Sequence, residues 1–152
     1  MRKQLIALTI GGAALVGAAT TVAADGGGRK VLDLRAHQND ATMIEAPEGF
    51  AGTRFVGADD VYDGASHVGR GVRSCEVISA KEDGTALFQC IINLELPGGT
   101  LALQSMPTLT EAGLEDVAAA VTGGTGIYDH ARGDAAIEEM SPTETAYRID
   151  LR

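Results

Sequence analysis

The sequence places an acid and a cation two residues apart in the alternating stretch Val31-Leu32-Asp33-Leu34-Arg35. Because alternate residues of a β-strand share a face, Asp33 and Arg35 would lie on the same side of the strand. If that side points inward, the pair can polarise a carbonyl or epoxide oxygen of a substrate. If it points outward, the two are ordinary solvated charges, and this is the more frequent state of charged residues.

Phenol and guanidinium groups offer further contacts for a ligand. Tyr62, Tyr128 and Tyr147 could hydrogen-bond a bound molecule, although a buried tyrosine more commonly bonds to backbone. Arg132, next to Gly133, could lie at the mouth of a cavity, or it could be an exposed arginine paired with a nearby aspartate. We take Tyr62 and Tyr128 as candidate ligand-binding residues.

The three histidines do not form a credible metal set. His37, His67 and His130 lack the short spacings of metal ligands. Ser66 and His67 are neighbours that point to opposite faces of a strand, and no G-x-S-x-G elbow occurs. We therefore expect no metal and no cofactor, and nothing supports hydrolase chemistry.

The glycine-rich run Gly123-Gly124-Thr125-Gly126 could be mistaken for a phosphate loop, but no Lys-Ser/Thr follows it. Three glycines in four residues suit a sharp bend or a close approach of strands. The run therefore predicts a strand–turn–strand corner of a β-barrel, with residues 127–134 forming the second strand. Tyr128 and Arg132 would leave this corner near a barrel mouth.

The N-terminus has the pattern of an export signal. A basic start at Arg2 and Lys3 precedes an uncharged run over residues 5–22, and small residues follow it. This favours a signal peptide over residues 1–24, removed before Asp25, rather than a membrane anchor. Residues 25–30 would be a flexible leader and residues 31–152 a single domain of a secreted protein.

The charge argues against two classes of partner. The net charge is −9, and removal of Arg2 and Lys3 leaves 10 basic against 21 acidic residues, or −11. Such a surface repels nucleic acid and anionic lipid, so we expect neither nucleic-acid binding nor membrane association after cleavage.

Two cysteines suggest a cross-strand disulfide. Cys75 and Cys90 lie six residues on either side of the turn signal Lys81-Glu82-Asp83-Gly84. Folding about that turn brings them opposite each other, where a bridge would stabilise the fold by roughly 3 kcal/mol. A register slip of one residue would instead place the two side chains on opposite faces.

Short apolar stretches separated by Gly, Pro and Asp turns predict an all-β fold. We expect seven or eight strands in an antiparallel barrel or sandwich, with little helix. Residues 37–40 should form a loop between two strands, and residues 108–120 a loop that runs into a strand at 117–122. One face of the fourth long strand is apolar and comprises Phe88, Cys90, Ile92, Leu94 and Leu96.

Two motifs in order give the chain a family resemblance. The run D-D-V-Y-D-G-A-S-H-V-G-R-G-V-R-S-C-E-V-I (residues 59–78) and the later A-V-T-G-G-T-G-I-Y-D-H-A-R-G (residues 120–133) resemble the allene oxide cyclase and dirigent superfamily. The resemblance extends from about residue 31 to residue 151. It implies an eight-stranded antiparallel, calycin-like β-barrel with a largely apolar cavity. Related barrels form trimers, so the resemblance is also compatible with a homo-oligomer.

The family's site residues are only partly matched in this sequence. Asp33 and Arg35 stand where cyclases have an acid and an amide, so the acid is kept in kind and the amide is replaced by a cation. Asp59 and Arg132 match an acid and an arginine that dirigent proteins use in the pocket. Asp33, Arg35, Asp59 and Arg132 are thus the catalytic candidates. Cys75 matches a cyclase cysteine, but a disulfide would remove it from chemistry.

Two functions follow from this resemblance. In the first, a secreted barrel binds a hydrophobic small molecule and guides its non-redox cyclisation or stereoselective coupling without a cofactor, mainly through the shape of the cavity. In the second, the barrel is an extracellular ligand-binding or structural protein without turnover. A fold alone does not decide between them.

Overall fold

The computed structural model describes residues 29–114 and 117–152. The predicted signal peptide lies outside the described residues, and β1 begins within the expected leader, at Lys30. No helix among the described residues is long and apolar enough to cross a membrane. In chain order the strands are β1 (Lys30–Ile44), β2 (Arg54–Asp63), β3 (Ser66–Ala80), β4 (Ala86–Leu96), β5 (Gly99–Ser105), β6 (Thr108–Thr110), β7 (Gly113–Leu114), β8 (Val117–Gly124), β9 (Gly133–Ser141) and β10 (Glu144–Leu151).

Eight of these strands close into an antiparallel barrel. The order around the ring is β3-β2-β1-β10-β9-β8-β5-β4, and pairing of β3 with β4 completes the circle. The short strands β6 and β7 form a small hairpin that pairs with the start of β4. The predicted fold class, an eight-stranded antiparallel barrel with little helix, is confirmed.

Alternation of apolar and polar residues decides which side of each strand faces the interior. In β4, every second side chain from Ala86 to Leu96 is buried and the intervening ones are exposed. The apolar face of this strand, which alternation groups together, is therefore the face that points into the barrel. The strand predicted over residues 117–122 is also confirmed as part of β8. The loop predicted ahead of it was wrong over residues 108–114, because these residues form the β6–β7 hairpin, which pairs with the start of β4.

The interior has two apolar clusters of unequal size. The larger fills one end of the barrel, where Leu94, Leu101, Leu103 and Ile149 are almost completely buried. The smaller lies toward the other end and comprises Val77, Ala86, Phe88 and Cys90, with Phe55, Cys75 and Leu109 packed against it.

A bulge, rather than the predicted loop, lies at residues 37–40. Strand β1 runs without a break and shifts register against β2 between Gln38 and Asp40. The prediction of a loop was wrong because both flanking segments pair with β2, so the polar run is absorbed as one irregular step. The bulge lets Gln38 face Asp59 while Ala41 faces Gly57.

The predicted corner between β8 and β9 is present, but the strand predicted over residues 127–134 was wrong. Residues Gly126–Tyr128 form a 3₁₀ turn, and β9 begins only at Gly133. Gly126 has φ +64° and His130 has φ +61°, values that interrupt an extended strand. The turn carries the Tyr128 side chain into the larger apolar cluster. Burial of this ring therefore overrides the local strand pattern.

Candidate functional site

A buried ion pair lies between the two apolar clusters. The Nη1 group of Arg73 donates hydrogen bonds to both carboxylate oxygens of Asp59, at 2.7 and 2.9 Å. The Asp59 side chain is 2% exposed and the Arg73 side chain 25% exposed. Arg73 Nη2 also donates to Oε1 of Gln38. The interior of the barrel therefore holds one acid, one cation and one amide in a connected network.

Glycines on the neighbouring strand make room for both charged side chains. Asp59 of β2 lies opposite Gly71 of β3, and Arg73 lies opposite Gly57. A Cβ atom at Gly57 would come within 3.2 Å of Arg73 Nε, and one at Gly71 within 3.6 Å of Asp59 Oδ2. The ion pair therefore runs diagonally between the strands, across space that larger residues would fill.

Burial dominates the electrostatics of this layer. Loss of solvent raises the pKa of the Asp59 carboxyl above its ordinary value, and the charge of Arg73 offsets only part of that rise. Burial also raises the pKa of the Tyr147 phenol to about 12, with a further contribution from the negative charge of Asp59. Tyr147 is 2% exposed. Its hydroxyl is therefore protonated near neutral pH and available as a donor.

Two adjoining cavities open beside this network. The first, here called the polar chamber, has a volume of about 300 Å³ and is bordered by Arg73, Tyr147 and Ser105. The second, the phenylalanine chamber, has a volume of about 540 Å³ and is bordered by Phe50, Phe55 and Phe88. The chambers share seven lining residues: Gln38, Arg73, Cys75, Cys90, Pro107, Leu114 and Glu139. Volumes of this size suit a small organic ligand.

One buried hydroxyl in the wall of the polar chamber has no hydrogen-bond partner among the described residues. Ser105 is 5% exposed, and its Oγ atom has no hydrogen-bond partner within residues 29–114 and 117–152. Ser105 follows Leu101 and Leu103 on the inward face of β5, where an apolar side chain would be the usual occupant. A buried hydroxyl without a partner is unfavourable, so this position suits a polar group brought in by a ligand.

The predicted disulfide is present and forms part of the cavity wall. Cys75 and Cys90 are directly opposite each other in the β3–β4 pair, and their sulfur atoms are bonded. The hairpin has a register shift beyond Val77, nearer its turn, yet the pairing at the cysteines is the predicted one. Both residues border both chambers.

The first pair of predicted catalytic residues lies on the outer face of the barrel. The Asp33 side chain is 67% exposed and accepts a hydrogen bond from Arg148 at 3.0 Å. The Arg35 side chain is 57% exposed and donates to Glu144 at 2.7 Å. The outward alternative is therefore the one adopted, and neither residue borders the polar or the phenylalanine chamber.

The remaining candidates are spread over the molecule. Asp59 belongs to the buried network. Tyr62 lies on the outer face, with its ring edge-on to His37 and His67. Tyr128 is buried at the opposite end from the chambers, where Lys30 Nζ lies 5.5 Å from its ring centre. Arg132 precedes β9 at that same end, and its carbonyl accepts a hydrogen bond from the Arg152 N–H.

Arg73, Gln38 and Ser105 are site residues that the motif reading missed. For Arg73 a signal was available, because Cys75 pairs with Cys90 on the apolar face of β4 and must point inward. Alternation then turns Arg73, two residues earlier, to the same side. The inward position of Gln38 results from the bulge in β1, which the sequence did not predict. No local sequence pattern distinguishes Ser105 from other serines.

The described residues contain no group of three or more His, Cys, Asp or Glu side chains arranged to hold a metal ion. The titratable groups that border the chambers are instead Arg73, Tyr147, Glu138 and Glu139. This set can donate hydrogen bonds to a ligand oxygen and can orient a ligand between polar and apolar walls.

Comparison with solved structures identifies the fold. The barrel superimposes on a pyocyanin demethylase with a TM-score of 0.68 and 21% identity, covering 81% of this chain and 100% of the other. It matches the pterocarpan synthase dirigent protein PsPTS1 with a TM-score of 0.65 and 18% identity, covering 82% and 95%. It matches AbnU, an exo-specific intermolecular Diels-Alderase, with a TM-score of 0.59 and 18% identity, covering 82% and 98%.

The chain has an allene oxide cyclase/dirigent-like barrel fold. In sequence, no family model matches it, and no curated protein does either. The likeness therefore lies in the arrangement of strands, at identities too low to carry an activity across.

Proposed function

We propose that the protein binds an apolar small molecule in the polar and phenylalanine chambers and guides a non-redox cyclisation or a stereoselective coupling of it. The main support is that the polar chamber and the phenylalanine chamber adjoin each other, with Arg73 in the wall of both. A ligand that spans both would have its reactive part beside hydrogen-bond donors and its apolar part against aromatic walls. Dirigent and Diels-Alderase barrels among the structural neighbours support this kind of activity.

In this proposal the shape of the cavity supplies most of the rate enhancement. Walls on several sides hold a flexible ligand near a reactive conformer, which removes part of the entropic barrier to ring closure or coupling. The Tyr147 hydroxyl and the Arg73 guanidinium would donate to a ligand oxygen on which negative charge develops. Asp59 and Gln38 fix the guanidinium in place before the ligand arrives.

The sequence-derived candidates take unequal parts in the proposal. Asp59 is assigned a positioning role, because it contacts Arg73 and does not border either chamber. Asp33, Arg35, Tyr62, Tyr128 and Arg132 are assigned no part in the reaction, since they too lie outside the two chambers. The proposal also includes export, because the predicted signal peptide and the disulfide both suit an oxidising compartment.

A second candidate is a secreted binding barrel without turnover. One observation favours it: two of the three guanidinium nitrogens of Arg73 already bond to Asp59 and Gln38. The network could therefore serve mainly to close the barrel interior around a bound molecule. Both candidates require a ligand in the chambers, and they differ in whether that ligand is changed.

Native mass spectrometry of protein recovered from the producing culture would identify any co-purifying ligand. The culture extract, incubated with purified protein and followed by liquid chromatography and mass spectrometry, should then show loss of a precursor and gain of an isomer or coupled product. Tyr147→Phe should slow this conversion by about tenfold or more while the ligand still binds. Binding without any conversion would refute catalysis and leave the binding barrel, and absence of any bound molecule would refute both.

A further inference from the structure

We propose that the ligand is an uncharged amphiphile whose hydroxyl or carbonyl oxygen bonds to Ser105 and whose apolar body lies against the phenylalanine chamber. This inference rests on the proposed function and narrows it to one chemical class. It depends on three features of the chambers: an unmatched hydroxyl, an aromatic wall and the balance of charge.

The unmatched hydroxyl of Ser105 selects for a polar head. Ser105 is 5% exposed and borders the polar chamber, and its hydroxyl lacks a hydrogen-bond partner among the described residues. A serine hydroxyl can donate one hydrogen bond and accept others, so it can pair with a hydroxyl or with a carbonyl. An apolar ligand would leave the hydroxyl unmatched, which disfavours a pure hydrocarbon at this position.

The aromatic wall selects for an apolar body. The ring centres of Phe55 and Phe88 lie 5.9 Å apart, and those of Phe50 and Phe88 lie 6.3 Å apart. Phe88 is buried, whereas Phe50 is 41% exposed although its ring contacts the other two. A ligand in the phenylalanine chamber would cover the free face of this cluster and gain from removal of apolar surface from water.

The balance of charge excludes ionic heads. Arg73 is the cation that faces the polar chamber, but Asp59 neutralises it through two hydrogen bonds. Glu139 borders both chambers and forms no ion pair among the described residues. An anionic head would meet Glu138 and Glu139 without a free positive partner. A cationic head would find the buried acid, Asp59, already paired with Arg73, and would have only exposed carboxylates to compensate for its lost hydration. A neutral head avoids both penalties.

Four probes that share one carbon skeleton and differ in the head group separate these possibilities: butylbenzene, phenylbutanol, phenylbutanoate and phenylbutylammonium. Dissociation constants should be measured by NMR titration of the purified, isotope-labelled protein near neutral pH, which also locates each probe. Phenylbutanol should bind about five- to tenfold more tightly than butylbenzene, the gain expected of one hydrogen bond to a buried partner. Both charged probes should bind more weakly than phenylbutanol, and the shifts should centre on the two chambers.

Ser105→Ala should reduce the advantage of phenylbutanol over butylbenzene to less than about twofold, with the affinity for butylbenzene unchanged. Ser79→Ala, on an exposed position of β3, is the matched control and should leave the whole series unaltered. The ranking on the unaltered protein tests the inference even if the Ser105 variant folds poorly.

Three results would overturn the inference. Equal affinity for butylbenzene and phenylbutanol would refute a preference for a polar head group, while leaving the proposed binding function intact. Tightest binding of either charged probe would replace the neutral head with an ionic one. Failure of all four probes to bind in the chambers would refute this inference and the proposed function together.

Discussion

Asp59 and Arg73 form an ion pair inside the barrel that runs diagonally between β2 and β3, each charge lying opposite a glycine. Asp59 is 2% exposed, so the pair has left water on one side and remains partly accessible on the other, where Arg73 borders the chambers. This asymmetry means that loss of the cation should cost more than loss of the acid.

Arg73→Met should lower the free energy of unfolding by about 3 kcal/mol, because it leaves the Asp59 carboxylate buried without a counter-charge. The double variant Asp59→Asn with Arg73→Met should regain most of that loss. Urea unfolding measures both. Arg148→Met, which breaks the exposed pair with Asp33, is the control and should cost less than about 1 kcal/mol. Equal losses from the two single arginine variants would contradict the assigned burial.

The pH dependence of stability should differ in sign between two aspartates. Burial raises the folded-state pKa of Asp59, so its stabilising contribution is fully present below its unfolded pKa and is lost as pH rises through the folded value. A hydrogen bond from the Thr85 N–H lowers the pKa of Asp83, so its contribution is present above the unfolded pKa and is lost as pH falls.

Unfolding of the unaltered protein, Asp59→Asn and Asp83→Asn by urea between pH 3 and pH 7 measures these contributions (pH values chosen to bracket roughly the ordinary carboxyl pKa). The stability advantage of the unaltered protein over Asp59→Asn should grow as pH falls. Its advantage over Asp83→Asn should shrink over the same range. Parallel curves for the two variants would show that the environment of Asp59 is not the one described.

Reduction of the disulfide should lower the free energy of unfolding by about 3 kcal/mol, the value of the chain-entropy model for a sequence separation of 15. Urea unfolding with and without dithiothreitol measures the change. The double variant Cys75→Ala with Cys90→Ala should unfold like the reduced protein and should not respond to the reductant. A loss well below about 1 kcal/mol would mean that the β3–β4 hairpin does not depend on the bridge.

Strand alternation was predictable from sequence because it depends on single residues and their immediate neighbours. The inward face of β4 and the pairing of Cys75 with Cys90 both follow from such local patterns. These patterns left a barrel or a sandwich open, and only the family resemblance carried by the two motifs implied the closed eight-stranded barrel.

The polar layer was harder to predict because it depends on several strands at once. Gln38 reaches Arg73 only because β1 shifts register, and Arg73 fits only because Gly57 lies opposite it. The sequence motifs predicted Asp59 as a site residue but not its partner Arg73. The two residues are fourteen positions apart and become neighbours only when β2 and β3 pair. Contacts between strands therefore limit what a single sequence reveals about the site.

Two glycines of nearly equal φ, one in the glycine-rich corner, test the effect of a close backbone contact. Gly126 and Gly64 have φ values of +64° and +57°. A Cβ at Gly126 would lie 2.0 Å from the Gly98 carbonyl oxygen, whereas one at Gly64 would meet no atom within 4 Å. Gly64→Ala should cost about 1 kcal/mol through backbone strain alone. Gly126→Ala should cost more than about 3 kcal/mol or prevent folding.

Thermal and urea unfolding of both glycine variants measure this difference. Because the backbone penalty is shared, the excess loss in Gly126→Ala reports the contact between the corner and the β4–β5 turn. Similar losses in the two variants would mean that the backbone at residues 98 and 126 can separate without cost, so that this contact does not hold the corner against the β4–β5 turn.

The phenol of Tyr147 should report the charge of the buried network at alkaline pH. Its folded-state pKa of about 12 lies above the ordinary value of 10.0, so the stability that the neutral phenol contributes is complete below pH 10 and is lost as pH rises through 12. Tyr147→Phe should therefore lose less stability between pH 9 and pH 11 than the unaltered protein, as measured by urea unfolding (pH values bracketing roughly the ordinary tyrosine pKa). Because the negative charge of Asp59 contributes to the raised pKa, Asp59→Asn should lower the pH at which this phenol ionises, followed by its ultraviolet absorbance. An unchanged ionisation in Asp59→Asn would place Tyr147 outside the network and would leave Arg73 as the donor that faces the ligand.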